Sequence, residues 1–249
     1  MDETLSTAIK VANHLNQFAT HVDSGQYFNN PMFNILAPNG NGESLRFSYY
    51  FGTPGIAVFL AQLAIITGDP KYLDQAIASG QYISDAIESN DDVLSVVGKP
   101  YSPSDHADAG PSAWVATDLY RLGELTSQPG FKQAAFKVFD TIAKSAQSLA
   151  TGAGWSGKAE MDQDVGAALV LLQAAKWFDR PDWQDLAVQV ADAIIATEVE
   201  MGPNQARYPF LVLNPYDGSW KGLWFPGFVH GVSGVGYFFA TLAKATGEP

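Results

Sequence analysis

The feature that most constrains this 249-residue sequence is a repeat of a helix, a short break that ends in proline, and a second helix. It is complete in "GTPGIAVFLAQLAIITGDPKYLDQAIASGQYISDAI", "GPSAWVATDLYRLGELTSQPGFKQAAFKVFDTIAKSA" and "VGAALVLLQAAKWFDRPDWQDLAVQVADAII". From the small residue that opens each first helix to the proline there are 15 positions in three units and 16 in the fourth: Gly55 to Pro70, Gly166 to Pro181, Gly234 to Pro249, and Ala113 to Pro129. A regular spacing of this kind indicates stacked structural repeats.

The proline predicts where each second helix begins, because its missing N–H has no partner in the first turn of a helix anyway. An aromatic residue follows two positions later (Tyr72, Phe131 and Trp183), and an alanine six positions later (Ala76, Ala135 and Ala187). The first helices are apolar almost all round, which is typical of helices buried on several sides. The second helices carry an apolar stripe beside polar residues, which favours an outer position.

Inner helices that alternate with outer ones predict an all-α fold, an α/α toroid of about four helical hairpins in one domain over residues 1–249. The fourth hairpin lacks an outer helix, which we expect residues 4–22 to supply by closing the ring. An open stack of hairpins is the alternative. Long connections at 23–48, 90–108, 149–162 and 200–226 precede the inner helices, and we expect them on one face.

The charge of the chain excludes some partners. With 14 basic and 26 acidic residues the net charge is -12, which repels phosphate groups, so neither a nucleic acid nor an anionic membrane is an expected partner. The absence of cysteine excludes disulfides, thiolate zinc sites and a cysteine nucleophile within these residues. The N-terminal residues do not have the pattern of a signal peptide, so the expected location is cytoplasmic.

Candidate proton-transfer groups precede the inner helices. His230 stands in the glycine-rich stretch "GFVHGVSGVG", where a histidine either hydrogen-bonds a loop carbonyl or transfers protons near neutral pH. Asp108, Asp162 and Asp164 precede other inner helices, where acids commonly cap the helix. If the four side chains meet on one face of a ring, their different environments would divide acid and base roles between them.

Aromatic residues in the connections are candidates for substrate binding. Tyr50, Trp155, Trp220 and Trp224, together with Asp108, are predicted to contact the substrate, although a tryptophan in a loop is more often a packing anchor. His106 lies in an Asp-His-x-Asp stretch, but no second histidine has suitable spacing to it, so we predict no metal site.

The stretches "FGTPGIAVFLAQLAIITGDPKYLDQA" and "GFVHGVSGVGYFFATL" resemble the repeat motifs of the lanthionine synthetase C-like (LanC-like) family. The resemblance covers roughly residues 45–249. It implies an α/α toroid that binds a peptide and joins a cysteine thiol to a dehydrated serine or threonine, forming a thioether ring. It also implies that a histidine and an aspartate handle the protons. By motif, His230 takes the histidine position, and Asp162 or Asp164 takes the aspartate position.

The sequence departs from the family in its metal ligands. Zinc-bearing members hold zinc with a Cys and a Cys-His pair, whereas this sequence has no cysteine, so we predict no zinc and no other cofactor. The sequence ends near the point where the zinc-bearing half would follow. We therefore expect a fragment, a short member that works without zinc, or a non-catalytic relative.

The leading hypothesis is a cyclase of lanthipeptide biosynthesis with a peptide substrate. An incomplete ring would need a second copy or a partner chain to cover its apolar edges. A carbohydrate-active α/α toroid (a glycoside hydrolase, lyase or epimerase) and a non-catalytic peptide-binding module are the alternatives.

Overall fold

The computed structural model describes residues 3–29, 46–47, 52–89, 112–203, 205–213, 220–227 and 231–247. This part of the chain is mostly helical, as the all-α prediction requires. Its α-helices are α1 (Glu3–Leu15), α2 (Thr53–Thr67), α3 (Pro70–Ser89), α4 (Ser112–Thr126), α5 (Pro129–Lys144), α6 (Gly166–Phe178), α7 (Pro181–Ile195) and α8 (Val232–Thr246). None of the helices in these ranges combines the length and apolarity needed to cross a membrane.

Short β-hairpins occupy parts of the connections. Four two-stranded antiparallel sheets pair β1 (Ala19–Val22) with β2 (Gly25–Phe28), β3 (Gln147–Leu149) with β4 (Gly152–Gly154), β5 (Val199–Gly202) with β6 (Gln205–Arg207), and β7 (Phe210–Leu213) with β8 (Trp220–Leu223). The sequence did not predict them. Strands of three or four residues are too short to show a clear alternation of apolar and polar positions.

The proline-based repeat is confirmed. Pro70, Pro129 and Pro181 begin α3, α5 and α7. The aromatic residue two positions after each proline is at most 2% exposed, and the alanine six positions after it is 0% exposed: Tyr72, Phe131, Trp183, Ala76, Ala135 and Ala187. The repeated positions are therefore core positions, and the small alanine leaves room for the neighbouring helix.

A second repeat, not recognised from the sequence, ends the first helices. The residue two positions before each proline has a left-handed backbone, with φ of 68° at Gly68, 57° at Ser127, 52° at Asp179 and 79° at Gly247. This conformation ends α2, α4, α6 and α8, as is common at helix C-termini. At Gly68 and Gly247 the N–H also donates to the carbonyl oxygen four residues earlier, at 2.8 Å in both cases.

The helices belong to two compact units that divide within α5, the first ending at Val138 and the second beginning at Phe139. In the first unit α2 packs against α3 and α4, and the β1–β2 hairpin packs against α3. In the second unit α6 packs against α7, β4 packs against α7, and α8 contacts α6. Each unit thus contains an apolar helix, an amphipathic helix and a hairpin.

A glycine in each of two hairpins makes equivalent contacts with an outer helix. A Cβ at Gly25 would stand 2.1 Å from Ala78 O, and a Cβ at Gly152 would stand 2.0 Å from Gln189 O. Ala78 and Gln189 both lie eight positions after the proline that begins their helix. The two units therefore share one mode of hairpin docking, in which glycine lets two backbones touch.

The helix α8 departs from the prediction for inner helices. The helices α2 and α6 bury most of their apolar residues, whereas α8 buries Val235, Phe238 and Leu242 and leaves Tyr237 52% exposed. Within its unit, α8 contacts α6, α7 and the segment that leads into α6. These contacts cover one side of the helix, so an apolar composition alone did not determine how many sides would be buried.

We expect Gly25→Ala and Gly152→Ala each to lower the free energy of unfolding by about 2–4 kcal/mol, because a Cβ there meets a backbone carbonyl and the backbone is left-handed. The φ angles are 128° and 155°. Urea denaturation measures the effect. The control is Gly236→Ala, in α8, where a Cβ meets nothing within 4 Å. Equal stability of the three variants would contradict the docking role.

Candidate functional site

A π-helix, Met161–Val165, leads directly into α6 and carries both aspartates predicted to handle protons. Segments of π-helix are rare and are often found at functional sites. The backbone of Asp162 belongs to this π-helix, while its side chain lies outside the described part of the structure. The geometry of the site is therefore built around Asp164.

Asp164 is 0% exposed, and each of its carboxylate oxygens accepts two hydrogen bonds. Oδ1 accepts from the backbone N–H of Trp155 (2.5 Å) and of Ser156 (2.9 Å). Oδ2 accepts from the hydroxyl of Ser156 (2.5 Å) and the backbone N–H of Glu160 (2.7 Å). The carboxylate therefore holds the loop 155–160 against the start of α6, and its four hydrogen bonds compensate for its burial.

This arrangement differs from the helix cap considered for Asp164. The structure assigns no side-chain cap to the first turn of α6, and the donors to Asp164 come from the preceding loop instead. Thr53 has the equivalent role in the first unit, where its hydroxyl accepts from the N–H of Phe28 at 3.2 Å. Thr53 stands two positions before Gly55, just as Asp164 stands two positions before Gly166. At this position a polar side chain ties a hairpin, or the loop that follows it, to the start of the next apolar helix.

Of the predicted substrate-binding aromatics, two are described in full. Trp155 is 7% exposed, and its indole N–H donates to the carbonyl of Ile142 at 2.8 Å, so it anchors the loop in the core. Trp224 is 40% exposed, and the guanidinium of Arg207 lies 3.7 Å from the centre of its ring. Trp220 begins β8, and its side chain is outside the described part.

The turn that precedes α8 is tightly packed. A Cβ at Gly231 would stand 2.3 Å from Gly227 O and 2.4 Å from Phe225 O, so that position has no room for a side chain. The N–H of Val232 donates to Phe225 O at 3.1 Å, and the hydroxyl of Ser233 donates to Pro226 O at 2.6 Å. These contacts bring the described residues on the two sides of the predicted His230 position close together.

The remaining predicted site residues, Tyr50, Asp108 and His230, lie outside the described residues, as does His106. Among the predicted residues that are described, the structure brings Asp164 and Trp155 into contact through the backbone of Trp155. Trp224 lies in the same unit and has an exposed ring.

Two charged residues with unusual surroundings were not predicted from the sequence. Asp118, in α4, is 3% exposed, and its Oδ2 has no hydrogen-bond partner among the described residues. Burial raises its pKa to about 7, while the charge of Arg121 acts in the opposite direction. The signal for it was an acid among the apolar residues of the first helix of its repeat, in "AWVATDLYRL". Arg207 was missed because an isolated arginine in a predicted connection carries no pattern.

No group of three or more histidine, aspartate or glutamate residues within the described ranges is arranged to hold a metal ion. The 249 residues contain no cysteine, so the thiolate zinc site implied by the LanC-like resemblance does not fit the donors that this sequence supplies.

In comparisons with known proteins, the sequence matched no protein-family profile, and no curated protein was significantly similar to it.

We expect Asp164→Asn to lower the free energy of unfolding by about 2–4 kcal/mol, because an amide NH₂ would replace one acceptor oxygen and face buried donors. Urea denaturation measures the loss. Asp185→Asn, at an exposed position of α7, serves as the control and should change stability little. Equal stability of Asp164→Asn and Asp185→Asn would show that the hydrogen bonds to Asp164 do not stabilise the loop.

Asp118 should make stability depend on pH. Because burial raises its pKa from 3.8 to about 7, the folded form keeps a proton that the unfolded chain releases. The unfolding free energy should therefore fall as the pH rises from about 4 to about 7, by up to about 1.4 kcal/mol per pH unit, and be level above that. Asp118→Asn should remove this slope, whereas the exposed Asp74→Asn should keep it. Denaturation at a series of pH values tests this, and an unchanged slope in Asp118→Asn would contradict it.

Proposed function

We propose that this chain is a LanC-like α/α toroid that acts on a peptide, adding a cysteine thiol to a dehydroamino acid to close a thioether ring. Support for the architecture comes from the helical hairpins, whose prolines, buried aromatics and buried alanines recur at one spacing. We also propose that residues 4–22 close the ring and that the reaction needs no zinc.

The observation that carries the proposal is the turn before α8. The stretch "GFVHGVSG" is similar to the His-Gly-x-x-Gly turn of the LanC-like family, and Gly231 stands where a side chain does not fit. The backbone of Gly231 lies close to that of Phe225 and Gly227, so the two described sides of this stretch are held together. Closely packed flanks suit a catalytic side chain, because proton transfer needs a donor and acceptor held within hydrogen-bond distance.

The proposed reaction is an addition, so every atom of the peptide is retained. The thiol gives its proton to a base, its sulfur bonds to the β-carbon of the dehydroamino acid, and the α-carbon takes up a proton. We assign these proton transfers to His230 and an aspartate. An imidazole has an ordinary pKa of about 6.5, which suits both directions of transfer.

Of the two aspartates, Asp162 is the better candidate for proton transfer. Both oxygens of Asp164 are occupied by hydrogen bonds from the loop 155–160, and the side chain is buried. A carboxylate in that position orients the π-helix, and a substrate proton does not reach it. We therefore propose Asp162 as the proton-handling partner of His230 and Asp164 as the residue that positions the π-helix.

The family's zinc lowers the pKa of the attacking thiol, and no step of the proposed reaction passes through such a metal here. A thiol has an ordinary pKa of about 8.5, so a base is needed to form the thiolate efficiently near neutral pH. The proposal gives that task to His230.

We expect His230→Ala to slow ring closure at least about 100-fold relative to the unaltered protein, because general acid–base catalysis contributes about that much or more. The substrate is a dehydrated, cysteine-containing peptide. Ring closure leaves the mass unchanged, so loss of the free thiol is followed by alkylation and mass spectrometry, with the rate in protein-free buffer subtracted. The matched control is His21→Ala, at an exposed position of β1, which should keep the full rate.

Two results would count against the proposal. Ring closure at the protein-free rate with the unaltered protein would remove the cyclase function, and an unchanged rate in His230→Ala would remove the role of the histidine. A parallel panel of oligosaccharides addresses the alternative function, since their cleavage by the same preparation would favour a carbohydrate-active toroid.

A further inference from the structure

Three consecutive apolar side chains are exposed at the end of β8 and directly after it. Leu223 is 43% exposed, Trp224 is 40% exposed and Phe225 is 42% exposed. Together with Arg207, which lies over the ring of Trp224, they form what we call the Trp224 shelf. Adjacent large apolar residues exposed in this way commonly mark an interaction surface.

Arg207 has no polar partner in the described structure. Its guanidinium carbon lies 3.7 Å from the centre of the Trp224 ring, and its Nε is buried without a hydrogen bond. No ion pair joins it to any described carboxylate. The buried Nε is closed to a ligand as it is to water, so the donors that a ligand carboxylate can reach are the terminal Nη1 and Nη2 groups, which are not among the buried atoms.

The same unit shows how a guanidinium of this kind is completed. Arg180 also lies over a tryptophan, 4.4 Å from the centre of the Trp183 ring. Its Nε and Nη2 donate to the two oxygens of Asp182, at 2.8 Å and 2.6 Å, and Nη1 donates to Asp140 at 3.3 Å. Arg207 has the stacked ring of this arrangement and, among the residues that the structure describes, lacks the carboxylates.

The C-terminal part of the sequence is less acidic than the rest of the chain. Residues 198–248 contain three basic residues (Arg207, Lys221 and Lys244) and four acidic ones (Glu198, Glu200, Asp217 and Glu248), a sum of -1. The whole chain carries -12, so the other residues sum to -11. An anionic group approaching the shelf therefore meets less repulsion than the charge of the whole chain indicates.

We propose that the Trp224 shelf binds a peptide segment in which an acidic residue is flanked by apolar residues. The carboxylate accepts a bidentate pair of hydrogen bonds from Arg207, and the flanking apolar side chains pack on Leu223 and Phe225. A peptide fits better than an acidic sugar, because Arg207 already covers a face of the Trp224 ring and aliphatic Leu223 offers contact to apolar side chains. The inference rests on the proposed function in one respect, that the ligand is a peptide.

Calorimetric titration of the whole chain tests the proposal with two blocked five-residue peptides, one with a central glutamate between phenylalanine and leucine and the other with glutamine in its place. The glutamate peptide should bind at least about tenfold more tightly, as expected for a charged hydrogen-bonded pair. Arg207→Gln should abolish this preference, and Lys244→Gln should keep it. Equal binding of the two peptides, or a preference that survives in Arg207→Gln, would overturn the assignment.

A ligand-side measurement keeps the test valid if Arg207→Gln does not fold, as judged by circular dichroism. With the unaltered protein, the preference for glutamate should shrink as salt is raised from 50 to 500 mM, and a lysine peptide should bind more weakly than the glutamine peptide. A preference insensitive to salt, or tighter binding of the lysine peptide, would overturn the proposal.

Two further outcomes would assign the shelf to another occupant. Tighter binding of an acidic oligosaccharide than of the glutamate peptide would indicate a sugar site. A dimer seen by sedimentation that dissociates in Trp224→Ala would indicate contact with a second copy. The binding assay requires no ring closure, so peptide binding without cyclisation would refute the proposed function alone. Cyclisation without a glutamate preference would refute the shelf alone.

Discussion

The packing of each apolar first helix against a proline-started second helix is the constraint on which the rest of the structure depends. The aromatic residue two positions after the proline fills the space between helices, and the alanine four positions later allows close approach. In the second unit Trp183 does this beside Phe139 and Phe178, with ring centres 6.2 Å and 6.1 Å away. Loss of either residue type would remove the contact by which a hairpin buries its own apolar surface.

The hairpins and the π-helix attach the connecting segments to this helical frame. Gly25 and Gly152 allow backbone contact with a proline-started helix, while Thr53 binds the β1–β2 hairpin and Asp164 binds the loop that follows β4. These two connections are thus held by contacts on two sides. The start of α6 gains a defined position from the hydrogen bonds to Asp164.

Two kinds of charged group in this protein differ in how their burial is compensated. Asp164 and Arg180 are surrounded by partners, and they hold the structure together. Asp118 lacks a partner for one oxygen, and Arg207 has an aromatic ring but no carboxylate among the described residues. The first pair stabilises the native state, whereas the second pair responds to its surroundings, Asp118 to protons and Arg207 to a ligand.

The sequence by itself determined the helical class, the proline starts and the recurring aromatic and alanine positions, because each depends on local rules of helix geometry and on a period that 249 residues display several times. It also singled out the region around Asp162 and Asp164. The strands were not predicted, since strands of three or four residues carry little local signal. That Asp164 is fully hydrogen-bonded, that Trp155 is buried and Trp224 exposed, and that α8 is covered on one side were decided by tertiary structure. Each of these depends on distant residues brought together, and no spacing along the chain encodes how many partners a side chain will meet.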